Sequence, residues 1–259
     1  MYNGNMSDDD KILLAHMDDL GRRALREGWA ASKFLTPEQA AQAGSHALLS
    51  GVELRFTGGF HGAERTRAVF VNSDWGSVSD DELILAFYIE NRSERPLGHR
   101  DILGALMAAG LQREALGDVI ILADSGAGPR CAAFACLPEL ERYITSNFER
   151  AGHASLTLEK IAPDAMPERR DKIEYKTDTV ASLRLDSVVG AAWDLSRSDA
   201  AELIARGAVS VGHIQCARPD RLLEPGALIS ARGHGRAVLA EVGGLSRKDR
   251  VFIKIGKYV

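Results

Sequence analysis

A short amphipathic helix in the last third of the chain constrains the fold most, because its spacing gives it a single apolar face. Its apolar residues recur at i, i+3, i+4 and i+7: Leu185, Val188, Val189 and Ala192. This helix is predicted to start near Ser182. A second helix restarts at Ser196, a favourable cap with Asp199 three positions later, and ends at Gly207. The segment therefore predicts two short helices in tandem.

The residues after Gly207 predict a small antiparallel sheet. Val209 and Val211 alternate as a strand, and the run Glu224–Ala227 fits a type II turn with proline and glycine in their preferred places. Two further strands are expected at Leu228–Ser230 and Ala237–Val242. We therefore expect a compact C-terminal domain over residues 182–259.

The middle third, residues 79–162, predicts the order strand, helix, strand, strand, helix, strand. A strand is predicted at Leu83–Ile89, followed by a helix at His99–Ala109 whose inward residues are Ile102, Leu103, Leu106 and Met107. Two strands follow, at Asp118–Leu122 and Arg130–Cys136, joined by a turn at 124–129. Pro138 opens a second helix with Leu140, Ile144 and Phe148 inward, and a last strand lies near Leu156–Ile161. This is the ferredoxin-like, RRM-like βαββαβ order. RNA-recognition domains of this order stack bases on aromatic residues of the inner strands, but here the candidate inner strand holds only Phe134. We expect the order without that aromatic platform.

The first 78 residues predict a helical and hairpin region. Ser7 with Asp8–Asp10 favours a helix start, and Thr36–Gln39 is a capping box that opens a second helix running to about Gly51. The inner face of the first helix is predicted to hold Ile12, Leu13, His16, Met17, Leu20 and Ala24. Extended runs follow at Leu54–Phe56 and Thr66–Val71, and the polar stretch Ala162–Thr179 suggests a surface loop, giving a linker over 163–181. The whole is expected to be an α+β chain.

Charge is distributed unevenly along the chain. Residues 182–259 hold 12 lysine and arginine against 8 aspartate and glutamate residues, which leaves 20 basic and 28 acidic residues elsewhere. A basic segment on an acidic body suggests a localised polyanion site, and a chance distribution on a solvated face is the alternative that charge alone leaves open. The chain has no apolar run of 18 residues and begins with a polar, acidic stretch, so we expect a cytoplasmic protein with no membrane span. Three cysteines without zinc-type spacing, Cys131, Cys136 and Cys216, are interpreted as buried free thiols.

Several sequence runs resemble known families. The C-terminal third resembles the alpha-L RNA-binding domain, first recognised in small-subunit ribosomal protein S-four. The runs that carry this resemblance are Arg184–Val189, Leu195–Ala200, Leu203–Ile204 and Gly207–Val211. A second resemblance is to the YlmH family, which pairs this module with an upstream RNA-binding-like domain. The runs that carry it are Gly58–Phe60, Ala63–Arg65, His99–Gly104, Arg113 with Gly117–Asp118, and Ser182–Asp186. The resemblance implies a non-catalytic binder of structured rRNA or tRNA. Its setting would be the large ribosomal subunit, where relatives are associated with rescue of stalled ribosomes and with cell-division loci.

Six residues are the candidate RNA contacts: Arg184, Ser196, Arg197, His213, Arg232 and Arg236. Two of the arginines stand at or near helix starts, where backbone N–H groups favour phosphate. Each could instead pair with Asp186 or Asp199 on the surface, and Asp186 is expected to be structural because a carboxylate repels phosphate. His213, in a predicted hairpin, could equally serve plain turn chemistry.

Some enzymes share this RNA-binding module, and their catalytic motifs differ from this sequence. Pseudouridine synthases carry an Arg-Leu-Asp run in their catalytic site, which Arg184–Asp186 matches, but here the run leads into a helix. Methyltransferases need a G-x-G-x-x-G turn, and tyrosyl-tRNA synthetases need nucleotide-binding signatures; neither is found. We expect no catalytic activity, cofactor or metal. An RNA-modifying enzyme and a cell-division-linked interaction protein remain the alternatives, and the oligomeric state stays open.

Overall fold

The computed structural model describes residues 8–46, 48–93, 96–122, 131–168 and 172–258. In this part of the chain, helices and antiparallel sheets form two compact units, Met1–Arg169 and Arg170–Val259. The helices are α1 (Asp8–Glu27), α2 (Pro37–Gly44), α3 (Asp80–Leu83), α4 (His99–Ala108), α5 (Glu141–Asn147), α6 (Leu185–Trp193) and α7 (Arg197–Ala205). The strands are β1 (Trp29–Leu35), β2 (Val52–Thr57), β3 (Thr66–Asn72), β4 (Leu85–Asn91), β5 (Leu116–Leu122), β6 (Cys131–Cys136), β7 (Arg150–Ala151), β8 (Ala154–Ile161), β9 (Ile173–Val180), β10 (Val209–Val211), β11 (Ile214–Gln215), β12 (Leu228–Ala231), β13 (Gly235–Leu245) and β14 (Val251–Tyr258).

The first unit begins with α1 packed on a three-stranded sheet of order β1-β3-β2. Met17, Leu20 and Ala24 of α1 are buried, as the helical spacing predicted. The prediction was wrong for Ile12, which is 68% exposed, and for His16, which is exposed. The packed face of α1 follows Leu13, Met17, Leu20 and Ala24, and Ile12 and His16 each lie one position to the side of it.

The segment that follows α1 differs from the sequence expectation at two points. Trp29–Leu35 forms β1, a strand that was not predicted. The capping box opens α2 as expected, with the Thr36 side chain accepting from the Gln39 backbone N–H, but the helix ends at Gly44 and not near Gly51. The predicted Ser7 cap lies outside the described residues.

The second sheet of this unit has the order β5-β6-β4-β8-β7, and all its neighbouring strands are antiparallel. Helices α4 and α5 pack on one face through buried residues such as Ile102 and Ile144. Phe134 is fully buried on this face and stacks on Phe87 with ring centroids 5.4 Å apart. Met107, predicted to point inward, is 42% exposed, because α4 buries the Ile102–Leu106 side.

The opposite face of the same sheet is covered by the N-terminal sheet. Phe34 and Val69 from β1 and β3 pack against Ala86, Ala133 and Ala135 from β4 and β6. Small side chains on the inner strands allow the two sheets to approach closely. Both faces are therefore buried at the inner strands, which agrees with the expectation that no aromatic base-stacking platform exists there. The predicted turn at 124–129 and residue Arg130 lie outside the described residues.

The second unit is a six-stranded antiparallel sheet of order β11-β10-β12-β13-β14-β9. Helices α6 and α7 share a core with one face of this sheet: among its buried residues are Leu185, Val189, Ile204, Val209, Ile229, Leu239, Ile253 and Ile255. The turn at Glu224–Ala227 forms as predicted, with Gly226 at φ +87° and the Ala227 N–H donating to the Glu224 carbonyl.

The surface loop predicted for Ala162–Thr179 is wrong over its second half. Ile173–Val180 forms β9, which pairs with β14 from Ile173↔Tyr258 to Val180↔Val251. Its polar residues sit on an edge strand, where polar side chains are common. The strands β11 and β14 were also not predicted. Within the described residues, no helix is long and apolar enough to cross a membrane.

Candidate nucleic-acid interface

A buried carboxylate organises the start of α6. Arg184 occupies the N-cap position of this helix and Asp186 lies in its first turn, only 3% exposed. The Arg184 guanidinium donates to both carboxylate oxygens, from Nε to Oδ1 at 3.2 Å and from Nη2 to Oδ2 at 2.9 Å. The Ser187 hydroxyl donates to Oδ1 at 3.1 Å. Asp186 is thus a structural residue, as its charge suggested.

Arg197 approaches the same carboxylate from the next helix. It is the first residue of α7, and its Nε lies 3.4 Å from Oδ2 of Asp186. Its side chain is 64% exposed, whereas that of Arg184 is 33% exposed. Both arginines therefore pair with Asp186, one of the two aspartates considered above, and that carboxylate is buried. Two guanidinium groups and one carboxylate leave a net charge of +1, mostly on the exposed Arg197.

The charges in this cluster stabilise one another. Burial acts to raise the pKa of Asp186, but hydrogen bonds from Arg184 and Ser187, with the charges of Arg184 and Arg197, outweigh it and hold the pKa below its usual value. The hydrogen bond to Asp186 raises the pKa of Arg184. The lowered pKa keeps the Asp186 carboxylate ionised at neutral pH.

The backbone at the start of α6 departs from expectation. The N–H groups of Leu185 and Asp186 donate to the carbonyls of Arg221 and Pro219, at 2.8 and 3.0 Å. Helix-terminal N–H groups bind phosphate when they lack a protein acceptor. The prediction that α6 offers free N–H groups is consequently wrong at these two residues, because a loop distant in sequence already satisfies them.

The start of α7 is arranged differently. The Ser196 hydroxyl caps the helix by accepting from the Asp199 N–H at 3.1 Å, and it also lies 2.8 Å from the Ser198 hydroxyl. Ser196, Arg197 and Ser198 are all exposed. This end of α7 therefore combines an exposed guanidinium with two hydroxyl groups, of which one donates within the Ser196–Ser198 hydrogen bond and the other can donate to an anion.

The three other candidate residues lie in turns and strands of the same unit. His213 follows Gly212 in the two-residue β10–β11 turn, at φ +66°, a left-handed conformation that histidine adopts at some cost. Arg232 is exposed in the β12–β13 turn. In that turn the His234 ring lies 6.1 Å from the Trp193 ring, beside the end of α6. Arg236 lies in β13, with its guanidinium 4.8 Å from the centre of the Tyr258 ring. The structure brings Arg184 and Arg197 together on Asp186, and sets the other three in other turns and strands.

Comparison with known proteins finds a matching family model, a similar protein and a similar solved structure. A family model described as "Putative RNA-binding domain in YlmH" matches residues 90–164. The Bacillus subtilis (strain 168) protein named "Ribosome-associated protein quality control protein P2" is 28% identical over 218 residues, which covers 84% of this chain and 82% of that protein. Residues 90–164 are thus similar to the RNA-binding domain of the YlmH family. A solved structure, "Cell division protein ylmH from Streptococcus pneumoniae", has a similar fold, with a TM-score of 0.50 and 17% identity over 62% of this chain and 96% of that chain.

The YlmH-like residues of the first unit form a second polar cluster, around Asp118. This carboxylate is 9% exposed and accepts from the backbone N–H groups of Glu64, at 2.6 Å, and Arg65. The Arg65 guanidinium donates to the carbonyls of Leu116 and Phe34, each at 3.0 Å. Burial, with the neighbouring charge of Arg113, lowers the pKa of Arg65 to about 10. These contacts hold the β2–β3 connection against β5, so the residues of this cluster have a structural role.

The remaining sequence expectations concern metals and thiols. Within the described residues, no group of three or more histidine, cysteine, aspartate or glutamate side chains could hold a metal ion. Cys136 and Cys216 are buried and Cys131 is partly buried, all as free thiols, and burial raises the pKa of Cys136. The Arg184-Leu185-Asp186 run opens a helix, and its aspartate is buried in an ion pair.

Proposed function

We propose that this protein is a non-catalytic RNA-binding protein that acts on ribosomal RNA or tRNA at the large ribosomal subunit, in the rescue of stalled ribosomes. The match to an RNA-binding domain model over residues 90–164 and the name of the Bacillus subtilis relative support an RNA-binding, ribosome-associated role. We infer in addition that the large subunit is the site of action and that the rescue of stalled ribosomes is the process.

The observation that carries the proposal is the convergence of Arg184 and Arg197 on Asp186. The buried carboxylate holds both guanidinium groups and neutralises only one of their two charges. Arginine binds phosphate oxygens through paired N–H groups, and a fixed guanidinium loses less entropy on binding than a mobile one. Ser196, beside Arg197, would add a hydroxyl contact. Such contacts recognise the backbone of folded RNA more than base identity.

The domain assignments belong to the same proposal. Residues 79–162 are assigned a ferredoxin-like, RRM-like fold, which their order β5-β6-β4-β8 supports, since the strands then follow the split βαβ pattern. Residues 182–258 are assigned to the alpha-L RNA-binding domain, which α6, α7 and the strands after them support. In this assignment His213 and Arg232 contribute further contacts around the same RNA, and Arg236 contacts RNA from the opposite face of the sheet.

Sedimentation of the full chain with purified ribosomes tests the proposal. The wild-type protein is expected to sediment with the large subunit, and Arg197→Glu is expected to remain in the supernatant at moderate salt. The matched control is Arg206→Glu, because Arg206 lies just past the other end of α7 and is similarly exposed, at 63%. Equal sedimentation of both variants would refute the Arg197 site. Failure of the wild type to sediment would refute the ribosomal role and favour an interaction protein of the division machinery.

A further inference from the structure

We propose that the face of the six-stranded sheet opposite α6 and α7 binds the unpaired bases of a single-stranded RNA by stacking. We call this surface the outer face and define it by five residues: Tyr175, Arg236, Phe252, Lys254 and Tyr258. It adds a second RNA-binding surface to the unit and uses none of the residues of the Arg184–Arg197 cluster.

Strand register places the five residues on one side of the sheet. Side chains alternate along a strand, and residues directly opposite each other in paired strands share a face. Ile253 and Ile255 of β14 are buried in the core with the helices, so Phe252, Lys254 and Tyr258 lie on the other side. Tyr175 pairs with Gly256, and Arg236 lies opposite Tyr258 by continuation of the Ala237↔Lys257 pair. The outer face therefore spans β13, β14 and β9.

Aromatic rings and cations alternate across this surface. The Lys254 ammonium lies 5.0 Å from the centre of the Tyr175 ring, and the Arg236 guanidinium lies 4.8 Å from that of Tyr258. Tyr175 is 58% exposed and Phe252 is 42% exposed. Exposed aromatic rings interleaved with cations are the arrangement by which proteins bind single strands, since each base stacks on a ring while its phosphate meets a cation.

A glycine gives Tyr175 its position. A Cβ atom at Gly256 would lie 3.0 Å from Cε1 of Tyr175 and 2.7 Å from Cγ2 of Ile173. The tyrosine ring therefore rests close to the backbone of β14. Packing of this kind holds the ring in place, and its exposure leaves surface for a stacked base.

The charge around the outer face matches a polyanion. The β13–β14 connection adds the exposed cations Arg247, Lys248 and Arg250 to Arg236 and Lys254. On this face and in the β13–β14 connection the acidic residues are Glu241, which pairs with Lys254 at 2.8 Å, and Asp249. Glu174 and Asp178 of β9 and Lys257 of β14 lie on the other side of the sheet by register. Five basic residues against two acidic ones on the outer face and its connection favour a phosphodiester strand over an apolar or basic protein partner.

Fluorescence anisotropy with two labelled strands of about 12 nucleotides tests this surface, one of oligouridine and one abasic. Tyr175→Ala and Phe252→Ala are each expected to weaken oligouridine binding about 5- to 100-fold, the usual effect of losing one stacked base. Both should leave the abasic strand unaffected, because it offers phosphates alone. Tyr175→Phe keeps the ring and should bind as the wild type does. Tyr143→Ala is the control, since Tyr143 is 41% exposed on α5, in the other unit.

Three results would overturn the proposal. One is unchanged oligouridine binding in both alanine variants, and another is equal affinity of the wild type for the two strands. The third is a wild-type dimer in sedimentation velocity that Phe252→Ala abolishes, which would assign the face to contact between copies of the chain. The Tyr175, Phe252 and Tyr143 variants all keep Arg184 and Arg197. The result for the outer face is therefore independent of the ribosome sedimentation experiment with Arg197→Glu.

Discussion

The Nε atom of Arg197, at the start of α7, lies 3.4 Å from Oδ2 of Asp186, in the first turn of α6. The aspartate is 3% exposed and the arginine side chain 64% exposed, so the pair links a buried anion to an outward cation. Arg184, at the N-cap of α6, donates hydrogen bonds to the same carboxylate. The proposed RNA contact thus depends on an acidic residue that does not itself face the RNA.

Asp186→Asn is expected to lower both stability and RNA affinity. The amide keeps the shape of the side chain but removes the charge that two guanidinium groups share, which should cost about 1–3 kcal/mol in the free energy of unfolding. Urea denaturation at neutral pH measures this cost. Asp220→Asn is the matched control, since Asp220 pairs with Arg218 at 3.5 Å on the surface and its loss should cost under about 1 kcal/mol. Equal costs for the two variants would contradict the structural role of Asp186.

The stability that Asp186 contributes should depend on pH in the acid range. Its pKa is lower in the folded than in the unfolded state, so the contribution is complete above the unfolded value of about 4 and is lost as the pH falls through the folded value. The difference in unfolding free energy between wild type and Asp186→Asn should therefore be constant from about pH 7 to pH 5 and shrink toward about pH 3. A difference that grows on acidification would have the wrong sign.

Gly117 is expected to tolerate no side chain. A Cβ atom there would lie 2.8 Å from Cε1 of Phe34 and 2.9 Å from Cβ of Ala135, between the two sheets of the first unit. Gly117→Ala should lower stability by about 1–3 kcal/mol through overpacking. Gly104→Ala is the opposite control, because its Cβ in α4 would meet nothing within 4 Å and alanine favours a helix by about 0.5–1 kcal/mol. Thermal melts of both variants should shift in opposite directions.

Arg65→Met is expected to destabilise the first unit. Methionine fills part of the space but removes the Arg65 donor from the Phe34 carbonyl and leaves the Leu116 carbonyl with Arg113 alone, at a cost of about 1–3 kcal/mol. Arg100→Met, an exposed position in α4, should change stability by less than about 0.5 kcal/mol. Chemical denaturation compares the two, and a similar small effect at both positions would show that Arg65 is not needed to hold the β2–β3 connection.

Local signals in the sequence were enough to locate most elements. The cap at Ser196, the box at Thr36–Gln39 and the turn at Gly226 act within four residues, so each is visible in the sequence and present in the structure. The apolar spacing of α6 predicted a buried face that the structure contains. Short-range chemistry of this kind depends little on the rest of the fold.

Features set by distant partners were not predictable in the same way. The edge strand β9 is polar, and only its pairing with β14 makes it a strand. The N–H groups at the start of α6 are taken by the loop at Pro219–Arg221, which no local pattern indicates. The candidate arginines were identified from the sequence, but their convergence on Asp186 required the packing of α6 against α7. Ring contacts on the outer face depend on the same kind of long-range pairing.

The salt dependence of RNA binding tests the central claim most directly. Affinity for a structured rRNA fragment would be measured over a salt series for the wild type, for Arg197→Gln and for the control Arg206→Gln. If Arg197 contacts phosphate, its loss should weaken binding by about 1–3 kcal/mol and make the slope of log affinity against log salt shallower by about 1, with the melting temperature nearly unchanged. An Arg197→Gln variant with the wild-type affinity and slope would contradict the account.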